Sequence, residues 1–292
     1  MPFTTIYNGA TRTIGNASAT PQVLHPIVMD YINIMKTNGS YTMSSVEIDA
    51  INNLVQSLVA NGIWAKMKAL YPVLGGTAAT HKFNLKDPRD VDAAYRLNFI
   101  GGWTHNSNGM TGNGTTGYAD TFLTPSTALT LNSTHLAYYT STTTVANVQR
   151  DIGVYTSGGG SAGSPQPVLG IGTNTNTGLS DMYTAFAGRV STAMTNGSGM
   201  LCGTRTSQTV FKLFKNASQI GTTNTTSTSG QSLPAQKIFI GAYNQSPSSP
   251  APLGYSNKNY RFLSIGDGLN DAEIYQLYRA VQIYQTKLGR QV

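Results

Sequence analysis

From residue 96 onward, runs of β-forming residues never extend far before Gly, Asn, Ser or Pro interrupts them, and this punctuation constrains the fold more than any other feature of the chain. A helix needs a longer unbroken stretch with a 3.6-residue apolar period, whereas short interrupted runs suit strands joined by tight turns. Candidate strands are residues 96–99, 118–122, 136–140, 150–155, 168–171, 185–189, 199–205, 208–215, 237–243 and 261–266. Strands this short and this numerous imply two packed sheets. The low-complexity stretches 157–165, 174–177 and 222–229 read as loops within that unit, because strand-like runs resume after each.

The first quarter of the chain has a different texture. Residues 1–19 alternate Thr and Ile before small polar residues, as an extended arm would. Ile27, Val28, Tyr31, Ile34 and Met35 then recur at helical spacing. A second helix opens at Ser44-Ser45-Val46-Glu47, where serine can accept from the amide three residues on while the glutamate reaches back. Its stripe is Ile48, Ile51, Leu54, Val55 and Leu58, and a third short helix is expected over 63–70, ending before Pro72. At the other end, Asn270 with Glu273 caps a helix carrying Ile274, Leu277, Tyr278, Val281 and Leu288 on one face. The expected division is an arm and helical assembly module at 1–75 and a β-sandwich with its own core and closing helix at 76–292. The apolar stripes serve helix packing first and an oligomer interface second, with Ile27, Tyr31, Ile51, Leu58 and Trp64 as the interface residues.

Charged residues make up only 11% of the chain, against about 25% in an ordinary soluble domain. Thr, Ser, Asn and Gly take their place, a composition suited to shells, fibres and adhesins. The formal charge of +7 does not mark a nucleic-acid partner, because no Lys or Arg occurs between Gly101 and Gln149 and the basic residues at 66–96 are interleaved with Asp87, Asp90 and Asp92. Cys202 is the one cysteine and has no partner for a disulfide. No run of roughly 18 apolar residues suggests a membrane span, and the first residues lack the basic and apolar pattern of an export signal. Composition without export signal leads to the expectation of a particle assembled in the cytoplasm.

Three stretches in order resemble laminin G-like domains: Gln208 to Gly221 as a hairpin, Lys237-Ile238-Phe239-Ile240-Gly241-Ala242 as the following strand, and Phe262 to Tyr278 as closing strand and helix. Gly114 to Phe122 is similar to an early strand of the same domains. The resemblance implies a mainly β, concanavalin A-like (laminin G-like) jelly-roll sandwich. A narrower one covers Gly62-Ile63-Trp64-Ala65-Lys66-Met67, Tyr71-Pro72-Val73-Leu74-Gly75-Gly76, His81 to Asp90 and Gly101-Gly102-Trp103-Thr104-His105. It is similar to tailed-bacteriophage particle proteins with a helical lead-in before such a sandwich, and implies a virion structural component working as a homo-oligomer with other virion proteins. The alternative is a receptor-recognition protein of the particle that binds a host surface glycan.

Many sandwiches of this kind are glycosidases, which commonly place two carboxylates about 5 to 10 Å apart. Here the only glutamates, Glu47 and Glu273, fall on helix caps, and between 101 and 266 the acids are Asp120, Asp151 and Asp181 alone. The chain is therefore expected not to be an enzyme. His25, His81, His105 and His135 have no histidine at metal-binding spacing and read as structural. No cofactor is expected, apart from Ca²⁺ on Asp120 and Asp181 as related sandwiches would hold it. Tyr138, Tyr139 and Tyr243, near strand ends, are the candidates for stacking on a sugar.

Overall fold

A computed structural model describes residues 4–7, 10–13, 23–146, 148–156, 168–184, 188–245 and 251–292. Expectations for the remainder of the arm, for the 157–165 loop and for the first residues of the 185–189 strand fall outside them.

In chain order the elements are β1 (Thr4–Tyr7), β2 (Ala10–Thr13), α1 (Pro26–Thr37), α2 (Ser45–Ala60), β3 (Met67–Tyr71), α3 (Ala78–His81), β4 (Asn98–Ile100), β5 (Trp103–Asn106), β6 (Gly109–Gly112) and β7 (Tyr118–Asp120). There follow α4 (Pro125–Ala128), β8 (Thr134–Thr140), β9 (Gln149–Tyr155), β10 (Val168–Asn174), β11 (Thr177–Met182), β12 (Val190–Ala193), β13 (Gly199–Ser207), β14 (Val210–Lys215) and β15 (Ser218–Asn224). The last are β16 (Phe239–Ile240), β17 (Tyr243–Asn244), β18 (Pro252–Leu253), β19 (Asn259–Gly266) and α5 (Asp271–Lys287).

Two sheets face each other. One has the order β12-β11-β10-β9-β16-β7-β4 with β17 and β18 appended, nine strands in all. The other has eight, β15-β14-β13-β8-β19-β6-β5 with β3 beside β19. Pairing is antiparallel throughout except for β17 on β9. The protein is thus mainly β, a sandwich as its punctuation predicts. β1 and β2 pair only with each other, as a separate two-stranded sheet.

Side chains alternate along each strand, so a sheet covered on both faces needs apolar residues at every position. The middle of β8, Leu136 to Tyr139, meets that demand. Leu136 and Tyr138 enter the core between the sheets, while Ala137 and Tyr139 face the helices. The second core joins Met200, Cys202, Phe214 and Phe262 of the eight-stranded sheet to Val28, Tyr31 and Met35 of α1, Ile51, Leu54, Val55 and Leu58 of α2, and Ile274, Leu277 and Val281 of α5. The architecture is therefore three layers, with helices, eight-stranded sheet and nine-stranded sheet in that order. Both long caps form as expected: Ser44 accepts from Glu47 N–H and Glu47 accepts from Ser44 N–H, and Asn270 and Glu273 repeat the arrangement on α5. No helix among the described residues is long and apolar enough to cross a membrane.

Two expectations need correction. The third helix over 63–70 is a single turn at Trp64–Lys66 followed by β3, whose residues pair with β19 from Leu263 to Gly266. Met, Lys, Ala and Leu favour helix on their own, and the vacant edge beside β19 overrides them. The boundary at residue 75 fails for the same reason. β3 belongs to the sandwich, and α1 and α2 bury the outer face of its eight-stranded sheet, so residues 76–292 do not contain a complete core.

Candidate functional site on the nine-stranded sheet

Helices cover the outer face of one sheet, which leaves the outer face of the other as the candidate binding surface. The register places Asp120 opposite Phe239, Phe239 opposite Gly153, Gly153 opposite Gly170 and Gly170 opposite Asp181. Directly opposed residues share a face, so one row crosses the sheet from one aspartate to the other. Ile152, Val154, Leu169, Ile171 and Met182, their neighbours along the strands, point into the core between the sheets.

The two glycines make room for an aromatic ring. A Cβ at Gly170 would stand 2.1 Å from Tyr243 Cζ, and one at Gly153 would stand 2.6 Å from Tyr243 Cε1. Tyr243 therefore lies over the row, with the Arg150 guanidinium 5.4 Å from its ring centroid. A register shift of β9 against β10 next to Gly172 turns Arg150 to this side and Asp151 to the interior. Beyond Gly170, Asp181 is fully buried and takes a forked contact from Arg189, with Nη2 to Oδ2 at 2.8 Å and Nε to Oδ1 at 3.0 Å. Burial raises the Asp181 carboxyl above the usual range, and the Arg189 fork opposes that rise. At the opposite end, Asp120 accepts from Lys237 Nζ at 3.2 Å and from Phe122 N–H at 2.7 Å. Two buried polar atoms in the middle, Tyr243 OH and Arg150 Nη1, have no hydrogen-bond partner among the described residues.

Several sequence expectations change here. Asp120 and Asp181 do share a face, but four inter-strand steps of about 4.8 Å separate them by roughly 19 Å, and each is held by its own cation. They cannot share one Ca²⁺. Tyr138 is fully buried between the sheets, edge-on to Tyr260 at 5.7 Å, and cannot reach a sugar. Tyr139 is buried beneath the helices, its hydroxyl accepting from Val292 N–H at 2.9 Å. Tyr243 has its ring against the sheet and is 2% exposed, so it presents no open stacking face. Of the proposed interface residues, Tyr31, Ile51 and Leu58 are fully buried within the chain, and Ile27 and Trp64 pack against the same core, Trp64 beneath Lys86 at 4.6 Å.

Sequence reasoning missed Arg150 and Arg189, since nothing in their spacing ties them to Tyr243 or Asp181. It also missed a contact away from this face, His81 Nδ1 to His105 Nδ1 at 3.0 Å. A cleft of about 740 Å³ between the start of α2 and the end of α5 is lined by Tyr41, Glu47, Lys287 and Arg290 among others. Glu47 caps α2, Lys287 pairs with Asp49, and Arg290 donates to backbone carbonyls, so its charges are already engaged.

No protein-family model matches the sequence, and no curated protein does. Solved structures of similar fold exist. Trypanosoma rangeli sialidase in complex with 2,3-difluoro-KDN is 13% identical, with 79% of this chain and 39% of that chain covered and a TM-score of 0.50. The binding domain of botulinum neurotoxin DC in complex with rat synaptotagmin II is 11% identical over 75% of this chain and 53% of that one, with a TM-score of 0.49. Domain 4 of the arabinanase AbnA from Geobacillus stearothermophilus, in complex with arabinotriose, is 9% identical over 73% and 98%, with a TM-score of 0.45. This chain thus spans 39% of the length of the sialidase.

The likeness extends to the fold and corrects one expectation. The sequence reading held that the chain is not an enzyme because paired carboxylates are absent. A sialidase, an enzyme, stands among the structures of similar fold, and sialidases use a tyrosine nucleophile rather than a carboxylate pair. The absence of such a pair does not set this chain apart from catalysts.

Proposed function

We propose that the chain is a structural protein of a tailed-bacteriophage particle, present in multiple copies, with the helical layer turned toward its assembly partners and the nine-stranded sheet turned outward. One observation carries the assembly role. Met29 on α1, Val46 and Val59 on α2, and Tyr275 and Ile283 on α5 are all exposed, at 44 to 53%. Half of the large apolar side chains exposed among the described residues sit on these three helices, and apolar side chains that cluster on one face mark an interface. The resemblance of residues 62–105 to phage particle proteins supports the same reading, and within that stretch the buried Asn84 accepts from Leu70 N–H at 2.8 Å and donates to Ala94 O at 2.9 Å. We read the sandwich as a concanavalin A-like, laminin G-like jelly roll.

Light scattering on the purified full chain tests the assembly face. Multimers that dissociate to folded monomers in the double variant Met29→Lys, Ile283→Lys support it. A wild-type chain that stays monomeric at high concentration removes it. The second reading is recognition of a host glycan on the outer sheet, the face that the helices leave uncovered and that carries Arg150 against the Tyr243 ring. Glycan-array binding lost in Arg150→Ala would support that reading.

A further inference from the structure

Between the two sheets lies a pair of opposite charges with no exposure at all. Lys258 Nζ stands 3.2 Å from Asp151 Oδ1, and both side chains are fully buried. Two acceptors hold the amine from its other sides, Gln149 Oε1 at 2.8 Å and Thr173 Oγ1 at 2.9 Å. The Gln149 amide is itself fixed, its Nε2 donating to Asn257 Oδ1 at 2.6 Å, which keeps Oε1 toward the lysine. Two O–H groups converge on the acceptor side of the carboxyl: Ser256 Oγ donates to Asp151 Oδ1 at 2.7 Å and Tyr260 OH donates to it at 3.0 Å. The other carboxyl oxygen, Asp151 Oδ2, is buried and accepts no hydrogen bond within 3.5 Å among the described residues, and the buried Tyr138 hydroxyl lies beside the carboxyl.

We propose that Lys258 and Asp151 condense spontaneously into an intramolecular amide, a covalent link between β9 and the residue that precedes β19. In the reaction one proton passes from the Lys258 ammonium to Asp151 Oδ2, so that the amine attacks as a neutral nucleophile and no charge is left in the interior. The neutral amine then has two hydrogens and two acceptors, Gln149 and Thr173, which leaves its lone pair for the Asp151 carboxyl, whose Oδ1 stands 3.2 Å away. The Nζ–Cγ bond forms and the Cγ–Oδ2 bond breaks. The Oδ2 hydroxyl departs with one amine hydrogen as water, and nothing is oxidised or reduced. Charge developing on Oδ1 in the tetrahedral intermediate meets the Ser256 and Tyr260 hydroxyls, donors already in place before the reaction. Exclusion of water from the site disfavours hydrolysis of the product, and the fixed geometry supplies the effective concentration that free amines and carboxyls lack.

The test is the intact mass of the purified full-length chain, measured under denaturing conditions after incubation in the folded state, together with a proteolytic digest. The expected result is a mass lower by one water and a branched peptide joining the segments that carry Asp151 and Lys258. Lys258→Arg, which keeps the positive charge and cannot form this amide, is expected at its full sequence mass. Ser256→Ala is expected to slow the loss of water. A wild-type chain that keeps its full sequence mass, with both peptides recovered unlinked, overturns the proposal; so does a loss of water that persists in Lys258→Arg.

Discussion

The Tyr243 ring fills the space that a side chain at Gly170 would need, with its Cζ 2.1 Å from the position of a Cβ there. Gly170→Ala must therefore displace the ring from the sheet. We expect a loss of about 1 to 3 kcal/mol, the usual range for overpacking, read from urea unfolding. In a Tyr243→Ala background the same substitution should cost far less, because the clashing atoms are gone. Equal costs in both backgrounds would show that the ring does not occupy this place.

Removal of residues 1–75 strips α1, α2 and β3 from the sandwich and uncovers Tyr139, Met200, Phe214 and Phe262. The fragment 76–292 is expected to aggregate or to lack a cooperative thermal transition. A soluble β-rich monomer with near-native melting, measured by circular dichroism and light scattering, would show that the sheet does not need its helical layer.

Acid should weaken the fold through two buried histidines. Gly76 N–H donates to His81 Nε2, so the imidazole hydrogen sits on Nδ1 and points to His105. Burial, then His105, then Arg290 hold His81 near about 3, well below 6.5, and burial holds His135 near about 4. A depressed histidine pKa means that the unfolded chain binds more protons below pH 6.5. Stability is then complete above that value and falls as pH drops toward the folded values. Urea midpoints at pH 7 and pH 4 should differ by the equivalent of a few kcal/mol, and His81→Gln should reduce the difference. Identical pH dependence in the variant would remove His81 from this role.

How far the sequence reached depended on the range of the interaction. Capping by Ser44 with Glu47 and Asn270 with Glu273 spans three residues and was legible directly. Strand spacing gave the sandwich, since turn chemistry is local too. β3 was read as helix because its local preference is helical and only the distant β19 makes it a strand. Tyr138 and Tyr139 could be weighed only between a sugar site and the sandwich core, because nothing local shows that both faces of β8 are covered. Asp120 and Asp181 gave no sign of sharing one row, because that follows from the register of five strands. Lys258 and Gln149 lie 109 positions apart, and nothing local marks either as part of a buried polar cluster.

The assignment to a phage particle is tested most directly by quantitative mass spectrometry of particles purified from the source of this sequence. The expected result is this chain at many copies per particle, co-migrating with them through a density gradient and resisting high-salt washing. Particles that are complete and infectious without it, with the chain recovered only from the soluble fraction of the lysate, would contradict the assignment.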